Sequence, residues 1–82
     1  MEVLNLPQLQ VEYYIEVEKI RPFGDRHFAA KAIFSKQTRT REWPVPLPEK
    51  EYWGRTEEEA KHKVRKAVEE WAAQCDVIAT EL

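Results

Sequence analysis

The run Thr56-Glu57-Glu58-Glu59-Ala60-Lys61-His62-Lys63-Val64-Arg65-Lys66-Ala67-Val68-Glu69-Glu70-Trp71-Ala72-Ala73-Gln74-Cys75 decides the fold. Ala60, Val64, Ala67, Val68, Trp71 and Cys75 recur at three- and four-residue steps. On a helix these positions form one apolar stripe about four turns long. Lys61, Lys63, Arg65, Lys66, Glu69 and Glu70 fall off that stripe. Thr56 suits the N-cap, and Glu59 three residues later completes a capping box. Glu57, Glu58 and Glu59 occupy the first turn, where the helix dipole favours negative charge. Glu57–Lys61 and Glu59–Lys63 have the favourable i, i+4 order, worth ~0.2–0.5 kcal/mol each.

Such a helix needs an apolar surface to cover, and the sequence before it supplies one. In Val11–Glu18, Val11, Tyr13, Ile15 and Val17 alternate with Glu12, Tyr14, Glu16 and Glu18. Period two with β-branched and aromatic residues predicts a half-buried strand. Pro22 and Gly24-Asp25 mark a turn. Phe28, Ala30, Ala32 and Phe34 then alternate with Ala29, Lys31, Ile33 and Ser35, a second strand joined as an antiparallel hairpin. Its alanines leave room for something large above the sheet. Thr38–Trp43 suits a third strand or a continuation of the second. Pro44, Pro46 and Pro48 impose an extended crossover. Tyr52-Trp53 reads as a short strand before Gly54, and Asp76–Leu82 as a terminal one centred on Val77 and Ile78. The expectation is an α+β class, two-layer β-β-β-α-β domain, an antiparallel sheet with one amphipathic helix packed on one face. It spans residues 1–82 as a single unit, with 1–10 a poorly ordered or extended N-terminal segment. The sheet's other face is left to solvent or to a second copy of the chain.

Composition narrows the function. With 82 residues, 43% of them hydrophobic and 34% charged, the chain is one globular domain with a thin core. A formal net charge of −2 gives no global attraction for nucleic acid. The charge is nevertheless uneven: Glu2, Glu12, Glu16 and Glu18 precede a basic block of Lys19, Arg21, Arg26, Lys31, Lys36, Arg39 and Arg41, interrupted only by Asp25. Acidic and basic strands lying side by side explain this, as does a basic face for a phosphate or an acidic partner. A single cysteine, Cys75, excludes an internal disulfide and suits a reducing, cytoplasmic setting. No apolar run is long enough to span a membrane, and Met1–Pro7 has neither the basic start nor the apolar core of a secretory signal.

Catalytic patterns are lacking. His62, between Lys61 and Lys63, lies off the apolar stripe, and His27 stands alone on a strand. Cys75 belongs to the stripe, as a buried thiol would. No catalytic or metal-binding set and no cofactor motif is recognisable, so the expectation is a non-enzyme. Trp43 and Trp53 flank the proline segment and either pin it to the core or anchor a partner. Lys31, Arg39 and Arg41 with Trp43 are the one basic-plus-aromatic combination. The candidate partner-binding residues are thus Lys31, Arg39, Arg41, Trp43 and Trp53.

Val45-Pro46-Leu47-Pro48, then Gly54, Thr56, Glu59 and Ala60 at the mouth of the helix, resemble the centre of HicB-like domains (the antitoxin HicB N-terminal domain and its relatives). With the strand pair before and the helix after, the likeness covers roughly residues 11–80. The family's aspartate between Pro46 and Leu47 is missing, Glu49-Lys50 replaces its Gly-Cys pair, and Ser35–Trp43 is an insertion. The resemblance implies a partly ribonuclease-H-like sheet without its catalytic carboxylates, a homodimer, and a small toxin ribonuclease as partner. It points to a stand-alone, antitoxin-like interaction module lacking the usual DNA-binding tail. The runner-up is a small RNA-binding domain of the double-stranded-RNA-binding type, matched by Gly54, Ala60 and Lys61. That family carries a lysine pair where this chain has Glu57 and Glu58, which would repel phosphates.

Overall fold

A computed structural model describes residues 9–35 and 47–82. In chain order the elements are β1 (Leu9–Phe23), β2 (Arg26–Phe34), β3 (Tyr52–Gly54), α1 (Glu57–Cys75) and β4 (Val77–Glu81). The two-layer α+β arrangement is the expected one: a four-stranded sheet with a single helix packed across it. The expected third strand at Thr38–Trp43 and most of the proline crossover lie outside the described residues. Leu9 and Gln10, expected in the N-terminal segment, open β1.

β1 and β2 form the hairpin that the alternation predicts, with Tyr13 opposite Phe34 and Val17 opposite Ala30. The strand runs further than expected, past Pro22 to Phe23, before a two-residue Gly24-Asp25 turn. Gly24 takes φ +59°, which glycine reaches without steric cost in such a loop. Pro22 is tolerated because the register slips between Lys19 and Phe23, so no regular ladder bond is asked of it.

The sheet order is β3-β2-β1-β4, and β4 pairs parallel to β1, from Leu9 opposite Val77 to Tyr13 opposite Glu81. The sheet is therefore mixed and not antiparallel throughout. The cause lies in the connection. β3 is antiparallel to β2 and so runs with β1. A helix after β3 carries the chain back to the starting end, and the next strand must run the same way again. Nineteen helical residues rise about 28 Å, close to the roughly 30 Å spanned by the nine residues of β2.

α1 opens as read: Thr56 is extended, and its hydroxyl accepts the Glu59 amide at 3.1 Å. The Glu59 carboxylate accepts the Arg55 amide at 3.4 Å, one residue before the usual capping-box partner. Asp76 closes the helix in the left-handed conformation and donates its amide to the Ala72 carbonyl, so β4 starts at once. Ala60, Val64 and Val68 are buried as the stripe predicts. Ala72, outside that reading, is buried too, whereas Trp71 and Cys75 are half-buried at the stripe's margin. Beneath the helix lie Ala30 and Ala32, at 1% and 0% exposure. Trp71 meets Phe34 edge-on at 5.7 Å, and Phe34 lies against Tyr13 at the same distance.

Gly54 sets the closest approach of the two layers. A Cβ there would lie 2.7 Å from the Ala60 nitrogen and 2.9 Å from Glu59 Cβ, and a backbone atom cannot swing aside. Thr56→Ala should cost about 1 kcal/mol of unfolding free energy. Gly54→Ala should cost more, about 1–3 kcal/mol, because strand and helix must part. Urea denaturation of the two variants, compared with the parent, checks the order.

Candidate interaction surface

Two backbone hydrogen bonds fix where the sheet's hydrogen-bonding groups point. The Ser35 amide donates to Glu12 O, and the Leu82 amide to Tyr13 O. Even-numbered β1 residues therefore bond β2, and odd-numbered ones face β4. On β4 the parallel pattern turns Ile78, Thr80 and Leu82 toward β1. The N–H and C=O groups of Val77, Ala79 and Glu81 then face outward, and among the described residues β4 ends the sheet.

Exposed edges invite pairing with other chains, and folded proteins blunt them with short strands, charges, proline or bulges. β3, the opposite edge, has three residues, and Lys63 Nζ donates to the Trp53 carbonyl at 2.7 Å. β4 covers only the first part of β1, and the remainder carries Glu16, Glu18, Lys19, Arg21, Pro22 and a register slip. β4, Val-Ile-Ala-Thr-Glu, has neither lysine nor proline and keeps a regular register. Its one charge, Glu81, is tied to Arg65, so among the described residues it is the least guarded edge.

A groove of about 490 Å³ runs between this edge and α1. Val68, Ala72, Ala73, Val77 and Ala79 give it an apolar lining. Its polar end is made by Tyr13, Arg65, Glu69 and Glu81. Arg65 donates through Nε and a terminal nitrogen to the two Glu81 oxygens at 2.7 and 3.1 Å, a two-pronged clamp from helix to strand. The hydrogen bond from Arg65 holds the Glu81 carboxyl below its ordinary range. Tyr13 is only 4% exposed. Burial, and then the Glu81 charge, push its hydroxyl's pKa up, so the phenol stays protonated. No described residue gives that hydroxyl a hydrogen bond, and it lines the groove as an available donor.

The residues singled out from sequence do not converge here. Lys31 is exposed on the uncovered sheet face, opposite Glu16 in the register. Trp53 is half-buried on β3, and its ring carries the Arg26 guanidinium at 4.3 Å. Arg39, Arg41 and Trp43 lie outside the described residues. His62 is exposed, as its place off the stripe implies. Among the described residues no three His, Cys, Asp or Glu side chains gather as a metal site would require. No described helix is long and apolar enough to cross a membrane.

Because the folded-state pKa of Glu81 is depressed, the stabilisation from its pairing is present above the ordinary glutamate range. It is lost as pH falls through the depressed value. Both partners are about a third exposed, so solvent screening keeps the effect at or below ~1 kcal/mol. Glu81→Gln should lower stability by that amount at neutral pH and by nothing near pH 2, as paired urea titrations would show.

Compared with known proteins, the chain matches no family model, no curated protein and no solved structure.

Proposed function

We propose that this chain is a non-enzymatic, HicB-like protein-interaction module, antitoxin-like in character, that works by association with protein chains, its own copies included. The observation that carries the reading is the β4 edge, the least guarded among the described residues, beside an apolar groove. Backbone groups along such an edge supply affinity to any added strand, and a flanking groove supplies side-chain selectivity. A small toxin ribonuclease, the partner that the resemblance implies, would be one chain so engaged.

The geometry favours protein over RNA. Of the basic and aromatic residues picked for nucleic acid, Lys31 lies opposite a carboxylate, and Arg39, Arg41 and Trp43 lie outside the described residues. A helix N-terminus crowded with Glu57, Glu58 and Glu59 repels phosphate.

Light scattering across a concentration series should give a mass above the 9.8 kDa of one chain. A strict monomer at high micromolar concentration overturns self-association. Gel shifts with single- and double-stranded RNA at low salt should be blank. A salt-sensitive shift that weakens in Lys31→Ala or Arg39→Ala would instead establish the RNA-binding alternative.

A further inference from the structure

We infer that the occupant of the β4 edge is a second copy of the same strand, added antiparallel about a two-fold axis through Ala79, so that two sheets join into one of eight strands. This rests on the self-association proposed above and gives it a location and a register.

Charge selects the edge, and the extent of pairing selects the register, because a centre on Ala79 pairs all five residues of β4 whereas one on Ile78 or Thr80 pairs three. A two-fold perpendicular to the sheet keeps each residue on its own face, and residues whose numbers sum to 158 lie opposite one another. Val77 then meets the partner's Glu81, Ile78 the partner's Thr80, and Ala79 the partner's Ala79. No like charges oppose. Among the described residues the other extended run of open edge, on β1, fails the same test. A centre on Val17 sets Glu16 against the partner's Glu18, and centres on Glu16, Glu18 or Lys19 set each of those charges against itself.

Packing agrees. Ile78, at 42% exposure, would be covered beside the partner's Thr80 on the face away from the helix. On the helix face, the small Ala79 lets the two strands meet without a side chain obstructing the axis. The two grooves become one trough floored by both strands. The Arg65–Glu81 clamps lie off the axis, where each can persist. Five residues of strand on each side with a helix flank place the interface at the low end of specific association, in the micromolar range.

Cysteine chemistry reads the register. In a Cys75→Ala background only one thiol remains, and Ala79→Cys would face its symmetry mate with Cα atoms about 5.5 Å apart, inside the span of a disulfide. Under mild oxidation this variant should form covalent dimers at least tenfold faster than Ile78→Cys or Thr80→Cys, whose mates lie two residues out of step. Ala79→Pro offers a second reading. Its lost N–H points outward, so β1–β4 pairing survives, and circular dichroism should keep the helix while light scattering falls to a monomer. A dimeric parent whose Ala79→Cys variant fails to cross-link, or whose Ala79→Pro variant stays dimeric, overturns the Ala79 axis and leaves self-association standing. A parent that is monomeric at every concentration removes both.

Discussion

The seam between α1 and the sheet rests on the smallness of the side chains along it. Ala30 and Ala32 on β2 meet Ala60, Val64 and Val68 on the helix, and Gly54 leaves no room even for a methyl group beside the helix's first turn. In a domain of this size, core volume is scarce. Close approach of two layers compensates, because dispersion between well-packed atoms falls off steeply with separation. Larger residues at Ala30 or Ala32 would lift the helix and open the contacts made by Val11 and Val68. The Thr56 cap and the glutamates after it act in the same place, holding the helix's start where the chain leaves β3.

From that seam the position of β4 follows. The helix returns the chain across β2 and β1, and the next strand emerges beside β1, at the end of the sheet opposite β3. The left-handed Asp76 makes the reversal abrupt, so β4 is drawn against the helix C-terminus. Arg65 then pins the far end of β4 through Glu81. A strand held at both ends, with no described neighbour along one side, is stiff, and stiffness matters for strand addition. Less ordering entropy is lost when the template is already extended.

Much of this was legible in the residues. The helix, its N-cap and the alternation in β1 and β2 are local patterns, and local patterns survive folding unless tertiary contacts override them. What was not legible depends on neighbours. Pro22 looks like a strand terminator, yet a register slip admits it. The parallel sense of β4 depends on how many strands the helix recrosses, which no window of sequence contains. Tyr13 read as an ordinary core aromatic, and its hydroxyl gains meaning only when β4 and Arg65 surround it. Lys31 and Trp53 were chosen by residue type, which carries no information about convergence, and the register sets Lys31 opposite Glu16. One signal was present and unused: Val77–Glu81 lacks the lysine, proline or bulge that an edge strand normally carries.

The uncovered sheet face shows why association belongs at an edge. Along β1 it presents Glu12, Tyr14, Glu16 and Glu18, and β2 adds Lys31 and Ile33. Stacking two such faces would bury a row of carboxylates against another such row. Taking even one unpaired charge out of water costs several kcal/mol, more than the Tyr14–Ile33 pair could return. The same carboxylates cost nothing in a dimer joined through β4, because they stay in water. Among the described residues, then, the inexpensive way for this two-layer fold to extend is along the direction of its own hydrogen bonds, and the least guarded edge lies in that direction.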